Sequence, residues 1–194
     1  MDEYAFKTRV ITFGLETQTD ISEDDSPVAF FINGGYEFRK LYEASNLYWS
    51  VGPHVKIGWM TGDWRLYTQE QTYDFSFNSF AWGASIVPSA GLILEDDYKL
   101  SIYLEGEFGI LNYHTKAKIR PLERLSKKYD NNYLKLNWAM RAGLRGNVSS
   151  KLEAKVWAGL SGVNTDDALR HIRYNNRRLE KFPLFAQVGI GIGF

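Results

Sequence analysis

The sequence has no cysteine, three histidines, five prolines and no long uninterrupted apolar run. Without cysteine the chain cannot form disulfides or thiolate metal sites. Without a long apolar run an ordinary transmembrane helix is excluded, but membrane-crossing strands are not, because alternating strands give a weak hydropathy signal. Lysine plus arginine and aspartate plus glutamate balance at 23 each, which argues against a nucleic-acid partner. The opening MDEYAF lacks the basic and apolar regions of a signal peptide, so if the protein is exported we expect this sequence to be its mature form.

What the chain does have is aromatic residues, glycine and strict alternation. It contains 12 Tyr, 12 Phe, 6 Trp and 17 Gly. The final segment, FPLFAQVGIGIGF, places apolar side chains at every second position and three glycines and a glutamine between them. Side chains alternate between the two faces of a strand, so this segment predicts one strand with an apolar face and a small or polar face.

Eight segments alternate in this way, and each is long enough to cross a bilayer as a tilted strand. They are YAFKTRVITFGLET, PVAFFINGGYEFRKLY, LYWSVGPHVKIGWMTG, FAWGASIVPSAGLIL, KLSIYLEGEFGI, NYLKLNWAMRAGLRG, KLEAKVWAGLSG and the final segment. The first segment is ambiguous, because Phe6 and Val10 share one face whereas Ile11, Phe13 and Leu15 share the other. A β-bulge near Val10 would reconcile the two halves.

Short and long connections alternate between these segments. Residues 43–46, 95–98 and 147–150 form tight turns, whereas 20–27, 61–79, 114–131 and 164–181 form long connections. This alternation predicts an all-β fold, an eight-stranded antiparallel up-and-down transmembrane barrel with long outer loops and short periplasmic turns. We expect residues 1–194 to form a single outer-membrane barrel domain.

The apolar stripes can face lipid or a core. If they face lipid, a network of charges lines the lumen, formed by Glu37, Arg39, Lys56, Glu105, Glu107, Arg141, Arg145, Glu153 and Lys155. In the alternative, a soluble lipocalin-like carrier, these charges face water and the apolar stripes fill the barrel. The strand glycines favour the membrane orientation, because small residues suit a narrow interior. Trp49, Trp59 and Trp82 lie toward strand ends on the apolar face, as interface aromatics do.

The terminal VGIGIGF resembles the C-terminal signature of bacterial outer-membrane barrels, an alternating strand closed by phenylalanine. Together with the loop pattern, it makes the chain similar to the small eight-stranded, porin-like outer-membrane proteins. The resemblance implies a location in the outer membrane of a Gram-negative bacterium and contact with membrane lipid and lipopolysaccharide. It also implies that the barrel-assembly machinery recognises Val188, Ile190, Ile192 and Phe194.

Some barrels of this kind are lipid-modifying hydrolases, which is the alternative function for this chain. Ser50 and Lys56 share a face with His54, but nothing in the sequence brings a carboxylate to this histidine. His114 and His171 do not have the spacing of metal ligands. Glu105 and Glu107 share a face, but neighbouring arginines predict structural ion pairs. We therefore predict no catalytic, cofactor or metal site.

Two of the outer connections are rich in basic residues and are candidates for binding lipopolysaccharide phosphates, or a protein partner, through bidentate contacts. The candidate residues are Lys116, Lys118, Arg120, Arg170, Arg173, Arg177 and Arg178. In the second of these connections, Thr165 followed by Asp166 and Asp167 predicts the start of a short helix.

The third and fourth segments predict one specific register. A turn at Glu70-Gln71 places Trp59 opposite Trp82 and Pro53 opposite Pro88, and extends both strands across residues 64 to 78. Because proline has no N–H group, two opposed prolines would interrupt the hydrogen-bond ladder at one level.

Overall fold

The structure is a computed structural model that describes residues 6–20, 28–42, 45–67, 72–94, 99–121, 127–162, 173–174, 177–178 and 185–194. The strands are β1 (Arg9–Asp20), β2 (Val28–Tyr42), β3 (Leu47–Tyr67), β4 (Thr72–Ile93), β5 (Leu100–Pro121), β6 (Lys127–Asn147), β7 (Glu153–Ser161), β8 (Arg173–Tyr174), β9 (Arg177–Arg178) and β10 (Phe185–Gly193). Within the described ranges, no helix is long and apolar enough to span a membrane.

Eight of the strands close into an antiparallel barrel in the order β1-β10-β7-β6-β5-β4-β3-β2, and β8 pairs with β9 in a separate small sheet. The predicted up-and-down barrel is therefore confirmed. The stagger of the barrel is found by passing from each residue to its cross-strand partner once round the ring. Starting at Arg39, the successive partners are Ser50, Ser89, Glu105, Arg141, Gly159, Gln187, Gln18 and Ala29. Ala29 and Arg39 lie on the same strand ten residues apart. With eight strands at the usual spacing, this stagger corresponds to a tilt of about 40°.

The outer surface of the barrel carries an apolar belt. Ile11, Leu104, Leu136 and Val188 are among its exposed side chains. Along β4 the belt runs from Trp82 to Leu92, a height of about 25 Å at this tilt. That height matches the lipid-facing band of transmembrane barrels. The orientation is the reverse of a lipocalin-like carrier, so the soluble alternative is wrong.

Strands β3 to β6 have 21 or 22 residues each, against 9 to 15 for the other barrel strands. They continue past the apolar belt as a four-stranded extension, which consists of residues 61–67, 72–79, 114–121 and 127–133. The predicted loop at 114–131 is therefore wrong, because most of it is strand. The predicted continuation of β3 and β4 holds for residues 64–67 and 72–78, and residues 68–71 lie outside the described residues.

The apolar alternation changes face where these strands leave the belt. On β5, Phe108 and Ile110 point outward, whereas Leu111, Tyr113 and Ile119 point inward and are buried. The inward residues belong to an apolar cluster at the outer end of the barrel that continues into the extension: Ala29, Phe31, Met60, Phe75, Phe77, Ala81, Leu111, Tyr113, Ala117 and Ile119. Within the belt, the apolar side chains point outward and contact lipid. Beyond the belt, the outer surface contacts water, so the apolar side chains point inward and are buried there.

The predicted register of β3 and β4 is wrong by two residues. Trp59 pairs with Phe80, and Trp82 pairs with Ile57, so every side chain keeps its predicted face. The prolines are not opposed, because Pro53 pairs with Ile86. Pairing is instead interrupted beside Pro53 on the β2 side and beside Pro88 on the β5 side. The N–H groups that the two prolines lack are thus missing from different strand pairs, β2–β3 and β4–β5, and the β3–β4 ladder is continuous.

Strand β1 has a single register against β2 from Arg9 to Thr19 and against β10 from Thr12 to Asp20, so the bulge near Val10 is wrong. Val10 is fully buried inside the barrel, and the ring of Phe6 lies 5.7 Å from that of Tyr48. Phe6 and Val10 both contribute to the interior at the periplasmic end, whereas Ile11 belongs to the outer belt.

Candidate functional site

Ten glutamate, lysine and arginine side chains of the described residues lie buried in the lumen. The nine residues that the sequence assigns to the lumen, Glu37, Arg39, Lys56, Glu105, Glu107, Arg141, Arg145, Glu153 and Lys155, are all at most 7% exposed. The tenth is Glu16, which the sequence analysis missed because the phase of β1 was ambiguous. Five cations and five anions therefore balance inside the barrel.

The central part of the network is organised around Arg141. Its guanidinium donates to Glu105 Oε1 at 2.7 Å, to Glu16 Oε2 at 3.1 Å and to Glu107 Oε2. Lys56 Nζ lies 2.8 Å from Glu16 Oε1 and 2.9 Å from Glu107 Oε2. Three carboxylates thus share two cations, and the loss of either cation would leave three buried anions with one cation.

The periplasmic part of the network joins β2, β6 and β7. Arg39 donates two hydrogen bonds of 2.6 Å to Glu153 and lies 2.8 Å from Glu37. Arg145 and Lys155 also contact Glu37, at 3.1 Å and 3.2 Å. Here three cations share two carboxylates, so this part has an excess of positive charge, whereas the central part has an excess of negative charge.

Neutral side chains complete the filling of the lumen. Gln18 donates to Glu16 at 2.8 Å, Asn137 donates to Glu107 at 2.9 Å, and Ser161 donates to Gln18 at 3.0 Å. An eight-stranded barrel is just wide enough for its side chains. The described interior is therefore a packed ionic core, suited to holding the barrel together.

The glycines of β10 accommodate large interior side chains of β7. Gly189 pairs with Trp157, Gly191 with Lys155 and Gly193 with Glu153. A Cβ atom at any of these glycines would crowd the partner's side chain. The glycine face of the last strand is thus the complement of three bulky lumen residues.

The outward face of β10 carries the four residues of the expected assembly signal. Val188, Ile190, Ile192 and Phe194 are all exposed on the apolar belt. The backbone of Phe194 exchanges two hydrogen bonds with Ile11, so the last residue closes the ring with β1.

His54 is buried in the lumen and packs against Gly35. It pairs across the strands with Ser85, but His54 Nε2 and Ser85 Oγ make no hydrogen bond to the described part of the chain. This is not the exposed hydroxyl–imidazole–carboxylate arrangement of a hydrolase.

His114 faces outward, with Nδ1 2.7 Å from Asn132 Oδ1, and His171 lies outside the described residues. In the described ranges, no group of three potential ligands could hold a metal ion.

The first set of candidate anion-binding residues lies on a strand and not in a loop. Lys116, Lys118 and Arg120 occupy successive outward positions of β5 in the extension. Lys116 pairs with Asp130 on β6, and Arg120 pairs with Asp74 on β4. Lys118, by contrast, lies opposite Lys128 on β6. We call Lys116, Lys118, Arg120 and Lys128 the outer basic face.

The second set lies in the segment before β10. Arg173, Arg177 and Arg178 belong to the β8–β9 hairpin, of which the structure describes the backbone. Arg170 and the predicted helix start at Thr165, Asp166 and Asp167 lie outside the described residues.

No protein-family model and no curated protein matches the chain. Among solved structures, it is similar to Neisserial surface protein A, with 10% identity, a TM-score of 0.47 and 96% of each chain covered. It is also similar to Ail of Yersinia pestis in complex with the heparin analogue sucrose octasulfate, with 17% identity, a TM-score of 0.43, and 95% of this chain and 96% of that chain covered. A third match is the N-terminal β-barrel domain of Pseudomonas aeruginosa OprF, with 12% identity, a TM-score of 0.37, and coverage of 97% and 98%.

The fold follows from the strands themselves. A closed antiparallel ring leaves no free edge in lipid, an apolar belt covers its outside, and charged side chains fill its inside. The chain has the architecture of the small eight-stranded outer-membrane β-barrels.

Proposed function

We propose that this chain is a non-catalytic, integral protein of a bacterial outer membrane whose extension binds phosphate groups of lipopolysaccharide. The barrel, residues 1–194 as one domain, acts as the anchor, and the outer basic face makes the contact. The observation that carries the proposal is the placement of Lys118 directly opposite Lys128 beyond the apolar belt.

The height of the outer basic face suits the polar layer of the membrane. Phe80, two residues beyond the outermost belt residue Trp82 on β4, pairs with His114. Lys118 is four residues further along β5, or about 13 Å along the tilted strand. A lysine side chain at that height reaches the level at which lipid phosphates lie, because its long stem lets the ammonium move toward the interface.

The charges of the outer basic face favour an anion at one point. Opposite charges face each other at Lys116 with Asp130 and at Arg120 with Asp74. Lys118 and Lys128 are like charges at directly opposite positions, an arrangement that destabilises a sheet. A phosphate between the two ammonium groups would convert that repulsion into two charge-assisted contacts.

The test is the stabilisation of the detergent-solubilised barrel by added lipopolysaccharide. We expect Lys118→Gln/Lys128→Gln to weaken this effect about tenfold or more, since each hydrogen bond to a charged group contributes about 1.5–3 kcal/mol. The matched control is Lys40→Gln/Lys151→Gln, which removes two exposed lysines at the opposite end. An unchanged response of the Lys118/Lys128 variant, or an equal response of the native chain to dephosphorylated lipopolysaccharide, would contradict the proposal.

The same proposal assigns recognition by the barrel-assembly machinery to Val188, Ile190, Ile192 and Phe194. Its support is that all four are exposed on the strand that closes the ring. Phe194→Ala should slow assembly in cells much more than it slows unaided folding into detergent. Equal slowing in both settings would assign Phe194 to folding alone.

A further inference from the structure

A small cavity lies inside the periplasmic end of the barrel. Its volume is about 20 Å³, and Lys7, Arg39, Tyr48, Ser101, Arg145 and Glu153 are among the residues that line it. That is enough room for one water-sized particle and too little for a larger anion such as phosphate.

Cations outnumber anions around this cavity. Lys7, Arg39 and Arg145 face it, and Glu153 is the one carboxylate among its described lining residues. Both oxygens of Glu153 already accept hydrogen bonds from Arg39. Glu153 Oε1 also forms an ion pair with Arg145 Nε at 3.4 Å, whereas Lys7 Nζ makes no hydrogen bond to a lining residue.

One donor at the cavity lacks an acceptor in the described part of the chain, and a second has only a long ion-pair contact. Lys7 Nζ is buried and makes no hydrogen bond there. Arg145, which is 5% exposed, makes no hydrogen bond through Nε, although Glu153 Oε1 is 3.4 Å away. Its terminal nitrogens are occupied by Tyr48 and Glu37. An unpaired buried ammonium is costly, and an acceptor with a negative charge offsets more of that cost than a neutral one.

The electrostatic surroundings of Lys7 point the same way. Burial lowers the pKa of this lysine, Glu153 raises it, and the neighbouring Arg39 lowers it further. Lys7 adds to a part of the network in which Arg39, Arg145 and Lys155 already outnumber Glu37 and Glu153. Among the described residues, the periplasmic end thus has more cations than anions.

We propose that this cavity is a binding site for one small monovalent anion, chloride under ordinary conditions, held between Lys7 Nζ and Arg145 Nε. The bound anion joins the segment before β1 to the ionic core and so fastens the periplasmic end of the barrel. This site is separate from the outer basic face and does not depend on the function proposed for it.

Bromide tests the site directly, because it replaces chloride and scatters X-rays anomalously. Crystals of the full chain grown in bromide should show an anomalous peak between Lys7 and Arg145. A water molecule at that position, with no bromide peak, would overturn the proposal.

A second measurement works in solution. At constant ionic strength, the thermal midpoint of the detergent-solubilised barrel should rise saturably with chloride or bromide but not with gluconate, which is too large for the cavity. Lys7→Gln should abolish the halide-specific rise, whereas Lys40→Gln, at the exposed periplasmic rim, should retain it. Equal midpoints in halide and gluconate, or a halide-specific rise that survives in Lys7→Gln, would refute the site.

Discussion

Removal of the Arg141 guanidinium is the most informative perturbation of the ionic core. Arg141 contacts Glu105, Glu16 and Glu107 in a part of the lumen where all these side chains are at least nine-tenths buried. In Arg141→Met, Glu105 loses its ion-pair partner, and Lys56 is left between the two remaining carboxylates. Breaking a buried pair by removing one partner costs about 3–5 kcal/mol, so we expect the free energy of unfolding to fall by at least that amount.

The assay is equilibrium unfolding by urea in lipid vesicles, followed by tryptophan fluorescence and by the gel mobility of the folded barrel. Arg120→Met is the matched control, because Arg120 lies on the exposed face of the extension, where an ion pair contributes about 0–1 kcal/mol. In Arg141→Met/Glu105→Gln the orphaned carboxylate is neutralised. The double variant should therefore cost less than the two single losses added together. A cost for Arg141→Met equal to that of Arg120→Met, or strict additivity in the double variant, would show that the cluster is solvated and not a dry core.

Three further outcomes are expected. Ile190→Arg, at mid-height of the belt, should destabilise the folded barrel by about 2–4 kcal/mol. Leu47→Arg, at the rim of the belt, should destabilise it by about 0–1 kcal/mol. Equal losses of stability in urea titrations would mean that the belt does not face lipid. Gly52→Ala should lower the thermal midpoint because its Cβ would fall on the Tyr36 carbonyl oxygen, and Gly146→Ala, whose nearest neighbour is a carbonyl oxygen at 3.3 Å, should be tolerated. Planar bilayers should show no steady single-channel conductance, and a conductance that persists after the outer loops are trimmed would contradict the packed lumen.

Alternation determined which face each side chain occupies, and it did so well wherever one phase runs through a whole strand. In β6 the even positions Leu136, Trp138 and Met140 point outward, and Arg141 and Arg145 point inward, as the sequence predicts. The strand order also followed from the sequence, because an up-and-down barrel permits little else. The long connections expected at 61–79 and 114–131 did not, because strands cover most of both ranges.

What failed depends on information that alternation does not contain. The register between β3 and β4 depends on the turn, and a turn displaced by one residue moves every pair by two. Glu16 was missed because the apolar residues Phe6 and Val10 suggest that their face of β1 is the lipid-facing one. They are in fact part of the interior at the periplasmic end, and Glu16 lies on the same inward face. The ion pairs depend on the ten-residue stagger, which brings Arg39 and Glu153, 114 residues apart in sequence, into contact.

The β5–β6 part of the extension was mistaken for a loop because these strands reverse their apolar alternation at the membrane boundary. In β5, Ile110 faces out and Leu111 faces in, so the run of apolar residues at every second position ends at this point. The reversal is itself a signal, since a strand that leaves lipid for water must exchange its apolar and polar faces.

That reversal also fixes how deep the barrel sits. If the protein moved outward by two residues, Trp59 and Trp82 would leave the interface for water; if it moved inward by the same step, Asn112 and His114 would enter hydrocarbon. Both displacements cost free energy on the side of the barrel formed by β3 to β6, where the apolar side chains change from the outer to the inner face. In a bilayer of a different thickness, hydrophobic mismatch would therefore be relieved mainly by the lipid, which must stretch or thin around this side of the wall.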